Sequence, residues 1–417
     1  MRSARKSTTL ICAVAAWLSV PGWSGAADPD RQAFDLIEKG HYLTTVADCY
    51  ACHTVPNAGK PFAGGRAIET PFGVITSSNI TPDTDTGIGA WSDEQFDNAV
   101  RKGVRPDGSQ LYPAMPYPAY TKMTRDDVLA IRAYLATVEP VHQPVKSNTL
   151  PYPFNIREAM LAWDALYFTA GEFQPDGRQS PVWNRGAYLV QGPGHCTACH
   201  TPKTLLGGDK TTENLRGFNL QGWFAANITG DTLQGLGQWS EADITSYLKT
   251  GHNRITAATG PMAEEVVNAT SQYSDSDLNA IAIYLKSLPQ GQDRAAPAQP
   301  GSPVMTAGQA IYRDQCSACH GLDGRGVAML FPSLAQSSIV QASNPTTAIR
   351  LVLRGGRSVA TNAEPTAPGM PSFRWQLNDE QVAAVLTYIR NAWQTPAAAV
   401  SAETVGKAWD GLRTRAD

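Results

Sequence analysis

Apolar residues recur at helical spacing in three places, each opened by the same polar signature. Thr124-Arg125-Asp126-Asp127 leads into Val128, Ile131 and Leu135; Ser274-Asp275-Ser276-Asp277 into Leu278, Ile281 and Leu285; Asn378-Asp379-Glu380-Gln381 into Val382, Val385 and Ile389. A hydroxyl or amide cap, acids in the first turn and apolar residues at i+3 and i+4 predict three amphipathic helices. Each carries a tyrosine at the matching place: Tyr134, Tyr284 and Tyr388. Far upstream of each lies a second short helical segment with a glycine: Gly40-His41-Tyr42-Leu43, Gly186-Ala187-Tyr188-Leu189 and Gly308-Gln309-Ala310-Ile311-Tyr312. Glycine permits close approach of a crossing helix. The tyrosine of each unit is expected to lie against the glycine of the same unit, as core packing.

The chain therefore reads as three copies of one unit, predicted over residues 30–140, 181–289 and 305–394. The first two also share their middles. Asn79-Ile80-Thr81 matches Asn227-Ile228-Thr229, and Gly89-Ala90-Trp91-Ser92 matches Gly237-Gln238-Trp239-Ser240, each Trp-Ser pair opening another acid-capped helix. The third unit is shorter and lacks both matches. Residues 141–180 read as a connector. Its Met160, Leu161, Trp163, Leu166, Tyr167 and Phe168 suit a strut between the neighbours or a docking surface for another subunit. Residues 290–304, rich in Pro, Gln, Gly and Ala, read as a flexible linker. The tail, 395–417, is Ala-rich and then polar; Val405, Trp409 and Leu412 suggest one or two weak amphipathic turns. At the other end, Arg2, Arg5 and Lys6, an apolar run from Thr8 to Val20 and Ser24-Gly25-Ala26 read as a signal peptide over residues 1–27. That run is shorter than the ~20 residues a membrane-spanning helix needs.

Composition sharpens this picture. The 417 residues are 42% hydrophobic and 17% charged, which marks a globular chain of several domains. The formal net charge of −3 argues against a nucleic-acid partner, which calls for a basic surface. The cysteines are more specific. Apart from Cys12 in the signal, all six fall in three Cys-x-x-Cys-His motifs: Cys49/Cys52/His53, Cys196/Cys199/His200 and Cys316/Cys319/His320. Six cysteines in an exported chain also suit three disulfides, and two cysteines with a histidine suit zinc. Disulfides do not explain the adjacent histidine, and the tight loop spreads poorly around a tetrahedral metal. The pattern is that of covalent attachment of haem c, with thioethers to the two cysteines and the histidine as an axial iron ligand.

A methionine on the other side of such an iron makes an electron carrier with a raised potential. Met115 follows His53 by 62 residues, and Met262 follows His200 by the same 62. Met370 follows His320 by 50, in keeping with the shorter unit. All three stand next to proline shortly before the last helix of their unit and are the candidate second axial ligands. Core packing is the ordinary role of methionine, but Met123, Met160, Met305 and Met329 have no such counterparts. A ligating histidine needs a partner for its other ring nitrogen; the carbonyls of Pro61, Pro202 and Pro332 are the candidates.

Each unit, with its leading helix, Cys-x-x-Cys-His, methionine loop and closing helix, resembles a class I cytochrome c domain. Asn79-Ile80-Thr81-Pro82-Asp83, Gly87-Ile88-Gly89-Ala90-Trp91-Ser92 and Trp183-Asn184-Arg185-Gly186-Ala187-Tyr188-Leu189 resemble the triheme cytochrome c subunit of membrane-bound periplasmic dehydrogenases, over residues 35 to 394. The resemblance implies an all-α chain of three tandem class I cytochrome c domains with three covalently bound haem c. It also implies a dehydrogenase catalytic subunit of quinoprotein, flavoprotein or molybdenum type as partner, and ubiquinone or a terminal oxidase as acceptor. It places the protein in the bacterial periplasm, on the periplasmic face of the inner membrane. The three units and their connectors occupy the chain, so catalysis is expected in another polypeptide. The competing readings are a peroxidase-like haem enzyme with one open iron and a stand-alone soluble electron carrier.

Overall fold

The computed structural model describes residues 29–289, 296–393, 396–413 and 415. The signal-peptide reading and the first part of the 290–304 linker fall outside them. The described chain is mostly helical, with six short strands in three two-stranded antiparallel ribbons.

Each unit is framed by a leading helix and a closing helix that cross. The leading helices are Pro29–Val46, Pro181–Gln191 and Pro303–Ile311; the closing helices are Arg125–Leu135, Asp275–Ser287 and Asp379–Ile389. The predicted caps are in place: Thr124, Ser274 and Asn378 each accept a hydrogen bond from the backbone N–H three residues on. The crossing depends on glycine. A Cβ on Gly40, Gly186 or Gly308 would lie about 2 Å from a backbone oxygen of the closing helix: Ala130 at 1.9 Å, Ala280 at 2.0 Å, Ala384 at 2.1 Å. Tyr134, Tyr284 and Tyr388 stand beside these glycines, as their shared position predicts.

A middle helix follows in every unit: Asp93–Lys102, Glu241–Thr250 and Thr346–Arg354. The third was not anticipated. It lacks the Trp-Ser start, and Pro345 rather than a capping hydroxyl precedes it. Its buried face is nonetheless continuous, with Ile349, Val352 and Leu353 in the core of the third unit.

The connector is a strut. Only Ala159–Tyr167 of it is helical. Asp164 accepts from Tyr117 of the first unit at 2.6 Å, and the buried Trp163 donates its indole N–H to the Leu206 carbonyl of the second at 2.8 Å. Leu161 and Leu166 remain exposed. The tail is more ordered than its composition suggests. Ala402–Leu412 is a helix whose Val405 and Leu412 are buried against the third unit.

The units are docked rather than strung out. Val46 of the first leading helix is buried in the core of the second unit, and Tyr273 donates to its carbonyl at 2.8 Å. The third unit joins the second through backbone bonds, Ser333 N–H to Ile255 at 2.7 Å and Val359 N–H to Ala258 at 3.0 Å. The buried His252 bonds the Val359 carbonyl at 2.7 Å. Among the described residues, no helix is long and apolar enough to cross a membrane.

Candidate haem sites

Each Cys-x-x-Cys-His motif sits on one helical turn immediately after the leading helix: Cys49–His53, Cys196–His200 and, just past Cys316, Ser317–His320. One turn places cysteines three apart on a common face with the histidine beside them. In the first two units the residue before the motif, Asp48 or His195, takes the left-handed conformation, with φ of 44° and 34°. That turns the chain sharply out of the leading helix. All six thiols are free. Burial pushes Cys49 and Cys196 up to about 12 and Cys316 up to about 11, so they are neutral thiols at neutral pH. Among the described residues, no group of three or more His, Cys, Asp or Glu is set to hold a metal ion.

The histidines are held at two points. Their Nδ1 atoms face backbone carbonyls: His53 that of Ser78 at 2.7 Å, His200 that of Ala226 at 2.6 Å, His320 that of Pro332 at 2.9 Å. Their own carbonyls accept from Gly64, Gly217 and Gly326, at 2.8, 2.7 and 2.8 Å. All three glycines have positive φ, 72°, 92° and 67°, a conformation that glycine adopts without strain. Burial lowers the histidine pKa in each case, so the rings are neutral. With Nδ1–H donated, Nε2 is left as a free lone pair.

Pro332 is the carbonyl expected from the sequence; Pro61 and Pro202 are not. In the first two units the work falls to the residue just before Asn-Ile-Thr. There the side-chain oxygen of Asn79 accepts from Thr81 N–H at 2.9 Å and from its hydroxyl at 2.8 Å; Asn227 does the same to Thr229 at 2.8 Å for both. This local turn fixes the direction of the preceding carbonyl. The repeated Asn-Ile-Thr is the sequence signal for this turn.

The three methionines lie in three different local settings, not in three similar loops. Met115 lies in a turn closed by its N–H to Tyr112 at 3.0 Å, and packs on the core of the first unit. Met262 lies in the first turn of helix Pro261–Asn268, near Val266 and Val359. Met370 is on a short strand paired with Gly356 and packs on the core of the third unit. Two free thiols beside a neutral histidine with Nδ1 anchored recur three times, and thiol and imidazole in that arrangement fit haem c.

Comparison with known proteins agrees with the repeat. The Cytochrome c family profile matches residues 37–139, 184–289 and 305–393. The chain is 42% identical over 404 residues, 92% of its own length and 91% of the other's, to the gluconate 2-dehydrogenase cytochrome c subunit of Pantoea cypripedii. It is 38% identical over 398 residues, 91% and 85% of the two chains, to the alcohol dehydrogenase (quinone) cytochrome c subunit of Komagataeibacter europaeus. It is also 38% identical over 396 residues, 88% and 82%, to the fructose dehydrogenase cytochrome subunit of Gluconobacter japonicus.

Proposed function

Because the chain belongs to the cytochrome c family, in three tandem all-α units, we propose that it is a triheme electron-transfer subunit of a dehydrogenase complex. Cys49 and Cys52, Cys196 and Cys199, and Cys316 and Cys319 would carry the three haem c groups. His53, His200 and His320 would be the proximal ligands, and Met115, Met262 and Met370 the distal ones. When bound, each haem supplies a one-electron couple at its iron.

The residues do the rest. The carbonyls of Ser78, Ala226 and Pro332 keep Nδ1 protonated and aim Nε2, so no proton has to leave the ring for it to ligate. The observation that carries this reading is the threefold recurrence of two thiols beside a neutral histidine pinned at both Nδ1 and its carbonyl.

Substrate oxidation would belong to a separate catalytic subunit, quinoprotein, flavoprotein or molybdenum-containing, with ubiquinone or a terminal oxidase receiving the electrons. The relatives' names support a dehydrogenase partner in general. A periplasmic site on the inner membrane follows from the signal-peptide reading together with that partner. The test is mass spectrometry of the protein purified from its native source. Three covalent haems and a co-purifying dehydrogenase are expected. No covalent haem, or a chain that runs alone, overturns the reading.

A further inference from the structure

The junction of the first two units holds a pair of carboxyls that the haem sites do not use. Asp48 immediately precedes Cys49 at the end of the first leading helix and is 8% exposed. Its Oδ1 is buried and finds no hydrogen-bond donor. Across the junction, Glu265 of helix Pro261–Asn268 lies within hydrogen-bonding reach of it. Two carboxyls in contact in a poorly solvated place resist ionising together, so the pair holds its last proton to a higher pH than either would alone unless positive charge is brought near. Burial raises Asp48 first and the charge of Glu265 raises it further, whereas burial raises Glu265 against the pull of His195. Both carboxyls are therefore raised, and the buried Oδ1 of Asp48, which meets no donor, suits a carboxyl that shares a proton.

The surroundings give this proton a use. From the first unit the pair is faced by the Cys49 and Cys52 sulfurs, by Tyr120 and by Arg66; from the second by Glu264, His195, Tyr273 and the Cys196 and Cys199 sulfurs. Arg66 is spoken for. It forks onto Glu264, with one arm at 3.0 Å, and its other arm also reaches the Ala51 carbonyl. Arg66 is thus committed to Glu264 rather than to the pair. The pair stands among the attachment sulfurs of two motifs at once.

We propose that Asp48 and Glu265 form a proton-binding site shared by the first two haem sites, loaded as they are reduced and emptied as they are oxidised. This rests on the haem assignment made above. The pair takes one proton from solvent as electrons arrive at the irons and returns it as they leave. Only the carboxyl O–H bond forms and breaks. The electrons come from the partner subunit, or from the chemical reductant in a titration. A buried negative pair favours the ferric state and a singly protonated pair favours the ferrous state, so the coupling runs in both directions.

Spectroelectrochemical titration of the full three-haem protein from neutral to alkaline pH tests this. In the native protein two of the three midpoint potentials should fall as pH rises, while the third does not follow them. Reduction in unbuffered solution should take up a proton that the variants do not. Asp48→Asn keeps a residue tolerant of the left-handed conformation, and Glu265→Gln removes the partner without touching the motif; each should flatten both slopes. Potentials that do not move with pH, or slopes that persist in both variants, overturn the proposal. Haem counting on the same samples separates the two readings. Fewer than two haems on the first two motifs sinks the haem assignment, whereas three haems with flat potentials sink the proton site alone.

Discussion

Tyr42, on the leading helix of the first unit, donates a 2.6 Å hydrogen bond to Asp277 in the first turn of the second unit's closing helix. The reverse contact is also made: Tyr188 of the second leading helix donates to Asp127 of the first closing helix. Tyr42 and Tyr188 occupy the same place in their repeats, as do Asp127 and Asp277. The two units thus face each other about an approximate two-fold axis, each tyrosine reaching the other unit's helix cap. Arg185 adds a fork onto Asp277 at 2.7 and 2.8 Å, and Lys39 an ion pair to Asp127 at 2.6 Å.

This exchange predicts that the first two units unfold together. A hydrogen bond to a charged acceptor is worth about 1.5–3 kcal/mol, and Arg185 keeps Asp277 partly satisfied when Tyr42 is cut. Tyr42→Phe should therefore cost about 1–2 kcal/mol, and the double variant with Tyr188→Phe more. Urea unfolding followed by haem absorbance checks it. Loss of the two contacts without any change in midpoint would mean that the junction does not hold the units together.

Acid should loosen the same junction. Burial raises the Asp277 carboxyl, but Arg185 and Tyr42 together outweigh it and hold the pKa below its ordinary value. A group depressed in the folded state stabilises fully above its unfolded pKa, about 4. That contribution is lost as pH falls through the lower, folded value. Calorimetry should show the native melting temperature dropping below about pH 4. Asp277→Asn should melt lower at neutral pH and show a shallower acid limb; parallel profiles would refute the link.

The Asn-Ile-Thr turn should matter to the iron as well as to the fold. Asn79 is 2% exposed and also donates to the Val141 carbonyl at 2.7 Å. Asn79→Ala should cost about 1–3 kcal/mol, the price of buried groups left unpaired, and should disturb the His53 ligand field. The spectrum and potential of one haem should shift, and only one. A stability loss with all three haem signatures unchanged would confine Asn79 to the fold.

Met115→Ala should lower the potential of one haem and let carbon monoxide bind the reduced protein rapidly. The same change at Met262 and Met370 should act on the other two. An unchanged redox titration and no carbon monoxide binding would remove that methionine from the ligand set. Rapid binding by the unaltered protein would favour the haem-enzyme reading instead.

Gly308→Ala places a methyl 2.1 Å from the Ala384 oxygen and should cost about 3 kcal/mol through overpacking. The third unit has its own leading and closing helices, so the loss should appear as early melting or a missing third haem by mass. The spectra of the other two should survive. Normal incorporation and melting would show that the helices can part at no cost.

Much of this protein was legible in the chain itself. The helix caps, the crossing glycines, the tyrosines beside them and the three haem motifs depend on local conformation and short spacing, and repetition within one sequence exposed them. The all-α class was implied by the family resemblance that those motifs carry. Other features were decided only by tertiary contact. The carbonyl that meets His53 or His200 lies about 25 residues away, and any backbone carbonyl in reach would serve, so residue type does not mark it. The helix Thr346–Arg354 forms without a hydroxyl cap because packing of Ile349, Val352 and Leu353 stabilises it. The tail helix is held by burial of Val405 and Leu412, a contact that its short apolar pattern could not announce. Above all, Asp48 and Glu265 are more than 200 residues apart and individually unremarkable; only the docking of two units makes them a pair.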